Sequence, residues 1–215
     1  MRVGVLFSGR GSNMAALLEA ASVPGYPAEI VVAVSNVADA PGLALAAARG
    51  VEALCIEHRP FGRDRAAHEA AVDAALRARG VGLVCLAGYM RLFTPYFVGR
   101  WAGRMLNIHP SLLPAFPGLH PHAQALAAGV KLHGCTVHLV TEAMDSGPIL
   151  AQAAVPVLPG DTEERLAARV LAQEHRLYPL ALRLLAGGET GVPDMELPDP
   201  GAALLNPLSG GGSGP

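Results

Sequence analysis

Five apolar runs of strand length recur in the first half of the chain, at residues 3–7, 30–34, 53–56, 83–86 and 105–108. Alanine-rich stretches of helical character separate them at 14–21, 43–49, 64–79 and about 95–101. Runs that are apolar at successive positions suit strands buried on both faces. Strands that alternate with helices admit few topologies, because parallel strands joined through helices cross over with one hand. The reading is therefore α/β: a doubly wound, mostly parallel, Rossmann-like sheet. Gly50, Gly80 and Gly103 stand where the helices should stop. From Gly134 the pattern changes. Two strand-like runs, GCTVHLV and ILAQAAVPV, flank TEAMDSGP and predict a late addition to the sheet, either parallel or antiparallel. A final amphipathic helix is expected at about 163–185, with Asp161 or Thr162 as its cap.

At 215 residues the chain fits one domain with an extension. We place the domain at 1–188 and read 189–215, rich in Pro and Gly and ending SGGGSGP, as a mobile tail. A composition 51% hydrophobic and 16% charged, at net charge −2, argues against disorder and against a nucleic-acid-binding surface. Cys55, Cys85 and Cys135 are odd in number and lack paired spacing, so they read as reduced, buried thiols of a cytoplasmic protein. No apolar run approaches the roughly 18 residues of a membrane span, and the N-terminus lacks a signal-peptide pattern. A monomer and a homodimer both remain open.

The first strand runs through SGRGSNM into a helix. A glycine turn feeding a helix start gathers free N–H groups and the positive end of the dipole, which suits an anion. Gly11, Ser12 and Asn13 are the candidate phosphate holders; the plainer alternative is a tight turn with Ser12 as helix cap. Met14 occupies the position of a dinucleotide fingerprint's third glycine, and the second strand ends in Ser35 and Asn36 with no acid for a ribose diol. A phosphate fits here and NAD does not.

The fifth strand leaves as LNIHPSLLP. Residues two apart on a strand share a face, so Asn107 and His109 can point into one cleft at the carboxyl end of the sheet, where ligands bind in such folds. Pro110 stops the strand. An amide donor beside an imidazole suits chemistry at a carbonyl, where one steadies the growing oxyanion and the other donates or shuttles a proton. A carboxylate close to that imidazole favours its charged form, and Asp145 is the best candidate. Its plainer alternative is a turn at residues 145–147. His109, His120, His122, His133 and His138 crowd one third of the chain, but their spacing matches no metal pattern and no metal is expected.

Taken in order, LFSGRGSN, VSNVADAPGL, LAGYMRLF, GRMLNIHPSLLPAFPGLHPHAQAL, HGCTVHLVTEAMDSGPIL and AQEHRLYP resemble the phosphoribosylglycinamide formyltransferases, folate-dependent enzymes of purine synthesis, over residues 1–188. The resemblance implies formyl transfer from 10-formyltetrahydrofolate to the amine of glycinamide ribonucleotide, with no metal and no macromolecular partner. It implies that Gly11, Ser12 and Asn13 hold the substrate phosphate, and that Glu174 contacts the ribonucleotide. Asn107, His109 and Asp145 would be catalytic. Arg65, with Arg63 as its rival, and Met90, Arg91, Leu92 and Phe93 would bind folate. Asn107 and the loop of Thr141, Glu142, Ala143, Met144 and Asp145 would join them. His120, His122, His133 and His138 would be structural or supporting. The rivals are a formyltetrahydrofolate hydrolase, a methionyl-tRNA formyltransferase, an idle nucleotide- or folate-binding protein and a metal-dependent hydrolase.

Overall fold

The computed structural model describes residues 1–188 and the backbone of 204–207. Eight strands form one sheet in the order β3-β2-β1-β4-β5-β6-β7-β8. They are β1 (Arg2–Phe7), β2 (Glu29–Ser35), β3 (Glu52–Cys55), β4 (Leu83–Leu86), β5 (Met105–His109), β6 (Leu132–Leu139), β7 (Ile149–Pro156) and β8 (Leu204–Pro207). The pairs among β1 to β5 are parallel, whereas β5–β6, β6–β7 and β7–β8 are antiparallel. The late addition is thus antiparallel, and β8 arises within the segment expected to be a mobile tail. The remainder of that segment lies outside the described residues.

Among the described residues six α-helices cover the sheet: α1 (Ser12–Ala21), α2 (Pro41–Ala48), α3 (Arg65–Ala78), α4 (Pro95–Arg100), α5 (Pro121–Ala127) and α6 (Glu163–Gly187). Strand alternation divides the buried side chains between two cores. Val3, Val5 and Phe7 of β1 and Leu83 and Cys85 of β4 face the core that also contains α1 and α6. Leu6, Val84 and Leu86 face the other, with Val72 and Leu76 of α3 and Phe97 and Trp101 around α4. On β5, Leu106 and Ile108 join the first core and Met105 the second. Asn107 and His109 therefore share the face of Met105. Helix α6 buries Leu166, Val170, Glu174, Leu177, Tyr178, Ala181 and Leu182 along one stripe, which sets a carboxylate among apolar neighbours. Thr162 is its cap, accepting from the Arg165 N–H at 3.3 Å, while Asp161 instead clamps Arg169 at 2.7 and 3.0 Å.

One further expectation changes. Cys85 and Cys135 are buried, but Cys55 is exposed, because β3 is the outermost strand at its end of the sheet. Beyond the fifth strand, α5 occupies Pro121–Ala127, started by Pro121 behind a left-handed His120. Among the described residues no helix is long and apolar enough to cross a membrane.

Candidate active site

The carboxyl ends of β1, β2 and β4 are tied together by Ser8. Its hydroxyl donates to Asn36 Oδ1 at 2.6 Å and accepts the Met90 N–H at 2.8 Å. Next to it, Gly11 adopts φ +75°, a conformation that favours glycine, and begins α1 without any side-chain cap bond. The first helical bond runs from Ala15 N–H to Gly11 O, so the amides ahead of it are left to an outside acceptor. Ser12 is exposed. The chain is packed tightly here: a Cβ on Gly11 would lie 2.8 Å from Met14 Cε and 3.3 Å from Gly42 Cα. Asn13 donates from Nδ2 to Glu174 Oε2 at 2.7 Å, joining two residues that sequence reasoning placed on the same ligand. Burial raises the Glu174 carboxyl above its ordinary range, and the bond from Asn13 pulls the other way.

Across the sheet, the antiparallel addition completes a polar cluster. Asn107 pairs with His138 across β5 and β6, and Asn107 Nδ2 lies 3.2 Å from His138 Nε2. His138 Nδ1 lies 3.0 Å from the Leu139 carbonyl. Burial pushes the His138 imidazole towards its neutral form, against the pull of that carbonyl and of Asp145. The network assigns the proton to Nδ1, so that Nε2 accepts from Asn107. One hydrogen of the Asn107 amide is then fixed and the other remains for a ligand. His109, 6% exposed, presents Nδ1 to Asp145 Oδ2 at 3.5 Å and Nε2 to the Phe116 carbonyl at 3.0 Å. Asp145 sits at φ +50°, accepts the Gly118 N–H at 2.8 Å and faces His138 at 3.8 Å. A β-bulge at Leu150 of β7 falls opposite His138, a device that re-aims side chains.

The loop after β5 is pinned from behind. Thr136 Oγ1 donates to Ser111 O at 2.7 Å and accepts the Leu113 N–H at 3.0 Å. Gln152 Nε2 donates to Leu113 O at 2.9 Å. A neighbouring pair of histidines, His122 and His133, shares a 3.1 Å contact. Burial, with His122 adding to it, pushes His133 down to about 4. Among the described residues no three His, Cys, Asp or Glu side chains are grouped to hold a metal.

The folate candidates divide. Arg65, Met90 and Arg91 line an open cleft of about 550 Å³ together with Arg63, Asn36, His58 and Gly62. That volume lies within the range of small-molecule sites, and three guanidinium groups suit a ligand bearing carboxylates. Arg63 and Arg65 both reach it. Leu92 is exposed, while Phe93 stacks between Tyr89 and Phe97 at centroid distances of 5.0 and 4.5 Å and packs on the second core. Thr141, Glu142, Ala143 and Met144 form an exposed loop that leads to Asp145.

The formyl transferase family profile matches residues 1–182. The phosphoribosylglycinamide formyltransferase of Escherichia coli K12 is 43% identical over 188 residues, which cover 87% of this chain and 88% of that protein. The chain belongs to the phosphoribosylglycinamide formyltransferase family. A crystal structure of a phosphoribosylglycinamide formyltransferase from Brucella melitensis superposes with a TM-score of 0.83 at 59% identity, over 87% of this chain and 96% of that one. The trifunctional purine biosynthetic protein adenosine-3 of Drosophila pseudoobscura is 49% identical over 189 residues, and the chain spans only 14% of its length. Within this family frame, the residues missed from sequence are Ser8, Asn36 and His58, together with the Gly118 N–H and the pairing role of His138. Only His138 left a signal, its place in a strand-like run; its partner depends on register.

Proposed function

We propose that the protein transfers the formyl group of 10-formyltetrahydrofolate to the amine of glycinamide ribonucleotide, a reaction of purine biosynthesis in the cytoplasm. The observation that carries this reading is the meeting of Asn107, His109 and Asp145 at the end of β5, at 3.5 Å between imidazole and carboxylate. The Gly11–Ser12–Asn13 turn would take the substrate phosphate and Glu174 the ribonucleotide. The cleft of Arg63, Arg65, Met90 and Arg91 would take folate, with Leu92, Phe93 and residues 141–145 along its edge.

In this mechanism the neutral glycinamide amine attacks the formyl carbon and forms a tetrahedral intermediate. The unused Asn107 N–H donates to the oxyanion. His109 Nε2–H exchanges the Phe116 carbonyl for the same oxygen, while Asp145 faces Nδ1 and orients the ring. Collapse breaks the bond to the folate nitrogen, and the proton lost by the amine passes to that nitrogen through His109 or a water held by Asp145. Holding both reactants in place supplies much of the acceleration, up to roughly 7–11 kcal/mol in favourable intramolecular cases. The test is a spectroscopic assay of folate product with and without glycinamide ribonucleotide. Product formation that requires the nucleotide is expected. Product without it would mark a hydrolase, and no product with both substrates an idle binder.

A further inference from the structure

At the opposite end of the sheet from the family site, where β4 and β5 begin, Asp73, Arg77, Val81, Arg100, Trp101 and Arg104 line a cavity of about 250 Å³. Its groups come from α3, from the end of α4 and from the residue that leads into β5. Asp73 is buried and uses only one oxygen: Oδ2 meets Arg77 Nε at 3.0 Å and Arg100 Nε at 3.5 Å. That carboxylate holds two half-exposed arginines by their Nε atoms, and neither contact uses their outer nitrogens. Arg104 completes the group, its guanidinium 5.0 Å from the Trp101 ring centre. Three guanidinium groups against one carboxylate give the cavity a net positive charge.

Two buried polar atoms of the same cavity have no partner. They are the Nε1–H of Trp101, a residue 2% exposed, and Oδ1 of Asp73, 3% exposed. Salt bridging among the four charged residues accounts for neither, since one asks for an acceptor and the other for a donor. A ligand that answers all of these groups carries an anion with several oxygens beside a hydroxyl. Guanidinium forks match phosphate oxygens in geometry as well as charge. We infer that this cavity binds a small phosphate monoester bearing a free hydroxyl. Arg77, Arg100, Arg104 and the Trp101 indole N–H take the phosphate, and Asp73 Oδ1 takes the hydroxyl.

Trp101 is the only tryptophan in the chain, so its indole N–H gives one assignable resonance in a ¹H–¹⁵N spectrum and reports this cavity alone. The amides of Gly11 and Asn13 report the glycine turn in the same spectra, which separates the two anion sites. Glycerol 3-phosphate should shift the indole resonance saturably and bind more tightly than inorganic phosphate. Glycerol, or chloride at equal ionic strength, should leave it in place. Arg77→Ala and Arg100→Ala should each weaken the titration about tenfold, the loss expected for one charge-assisted bond. Arg100→Lys keeps the charge and removes the fork, and should fall between. An unmoved indole resonance would overturn the inference and leave a bridging water as the partner of both orphan atoms. So would an equal shift in the arginine variants, and equal affinity for inorganic phosphate would remove the hydroxyl contact.

Discussion

The two halves of the candidate site are built from different materials. On the β1 side, the proposed anion cradle is made of backbone: a left-handed glycine, an uncapped helix start and tight packing against Gly42. On the β5 side, the work falls to side chains drawn from β5, β6 and the loop before β7. Their positions hold only while the antiparallel pairs stay in register. A backbone cradle is specified locally and tolerates side-chain variety. A side-chain cluster is specified by the whole sheet and tolerates little.

Breaking the β5 half should do the most. His109→Ala or Asn107→Ala is expected to lower turnover by about 10²–10³, the usual effect of losing one oxyanion donor. Circular dichroism should still report the native fold; near-full turnover in a folded variant would refute the assignment. Next comes the register itself. A Cβ at Gly134 would land on the Ala153 carbonyl of the neighbouring strand, so Gly134→Ala should destabilise the protein by on the order of 3 kcal/mol in a denaturant titration. Activity should be lost with it.

The glycine turn sharpens the comparison from the other side. Gly11→Ala places an L residue at φ +75° and is expected to cost about 1–2 kcal/mol of stability. It should raise KM for the ribonucleotide more than it changes kcat, since only the cradle is disturbed. The smallest change at neutral pH belongs to His133. Its imidazole is held down to about 4 from 6.5, so in the window between those values the unfolded chain binds the extra proton. Stability should therefore fall as pH drops from about 6.5 towards 4, by at most about 1.4 kcal/mol per pH unit from this group. His133→Gln should flatten that slope in pH-resolved thermal unfolding and leave pH 7 nearly unaffected.

Much of this was legible in the chain because the information is local. The run at residues 83–86 became β4 without change, and the stop glycines at 50, 80 and 103 all adopt positive φ. Asn107 and His109 were legible as a pair because strand geometry alone puts them on one face. His138 was not: its contact with Asn107 is set by which residue of β6 lies opposite, and by the bulge in β7. Helix α5 was hidden because a left-handed His120 with no side-chain cap bond stands before it, which leaves Pro121 as its one start signal. The bond between Asn13 and Glu174 spans 161 positions, a distance over which no spacing rule operates.

The pairing of Asn107 with His138 carries a consequence for how this protein can be altered. Inserting a single residue in β6 would preserve the number of strands, their order and most of the apolar burial on paper. It would also turn His138 to the far side and leave the Asn107 amide free to swivel. An engineer grafting this domain should treat the hairpin as an indivisible cassette and place any new sequence in the connection at residues 157–162, where the alignment of chemistry is not encoded.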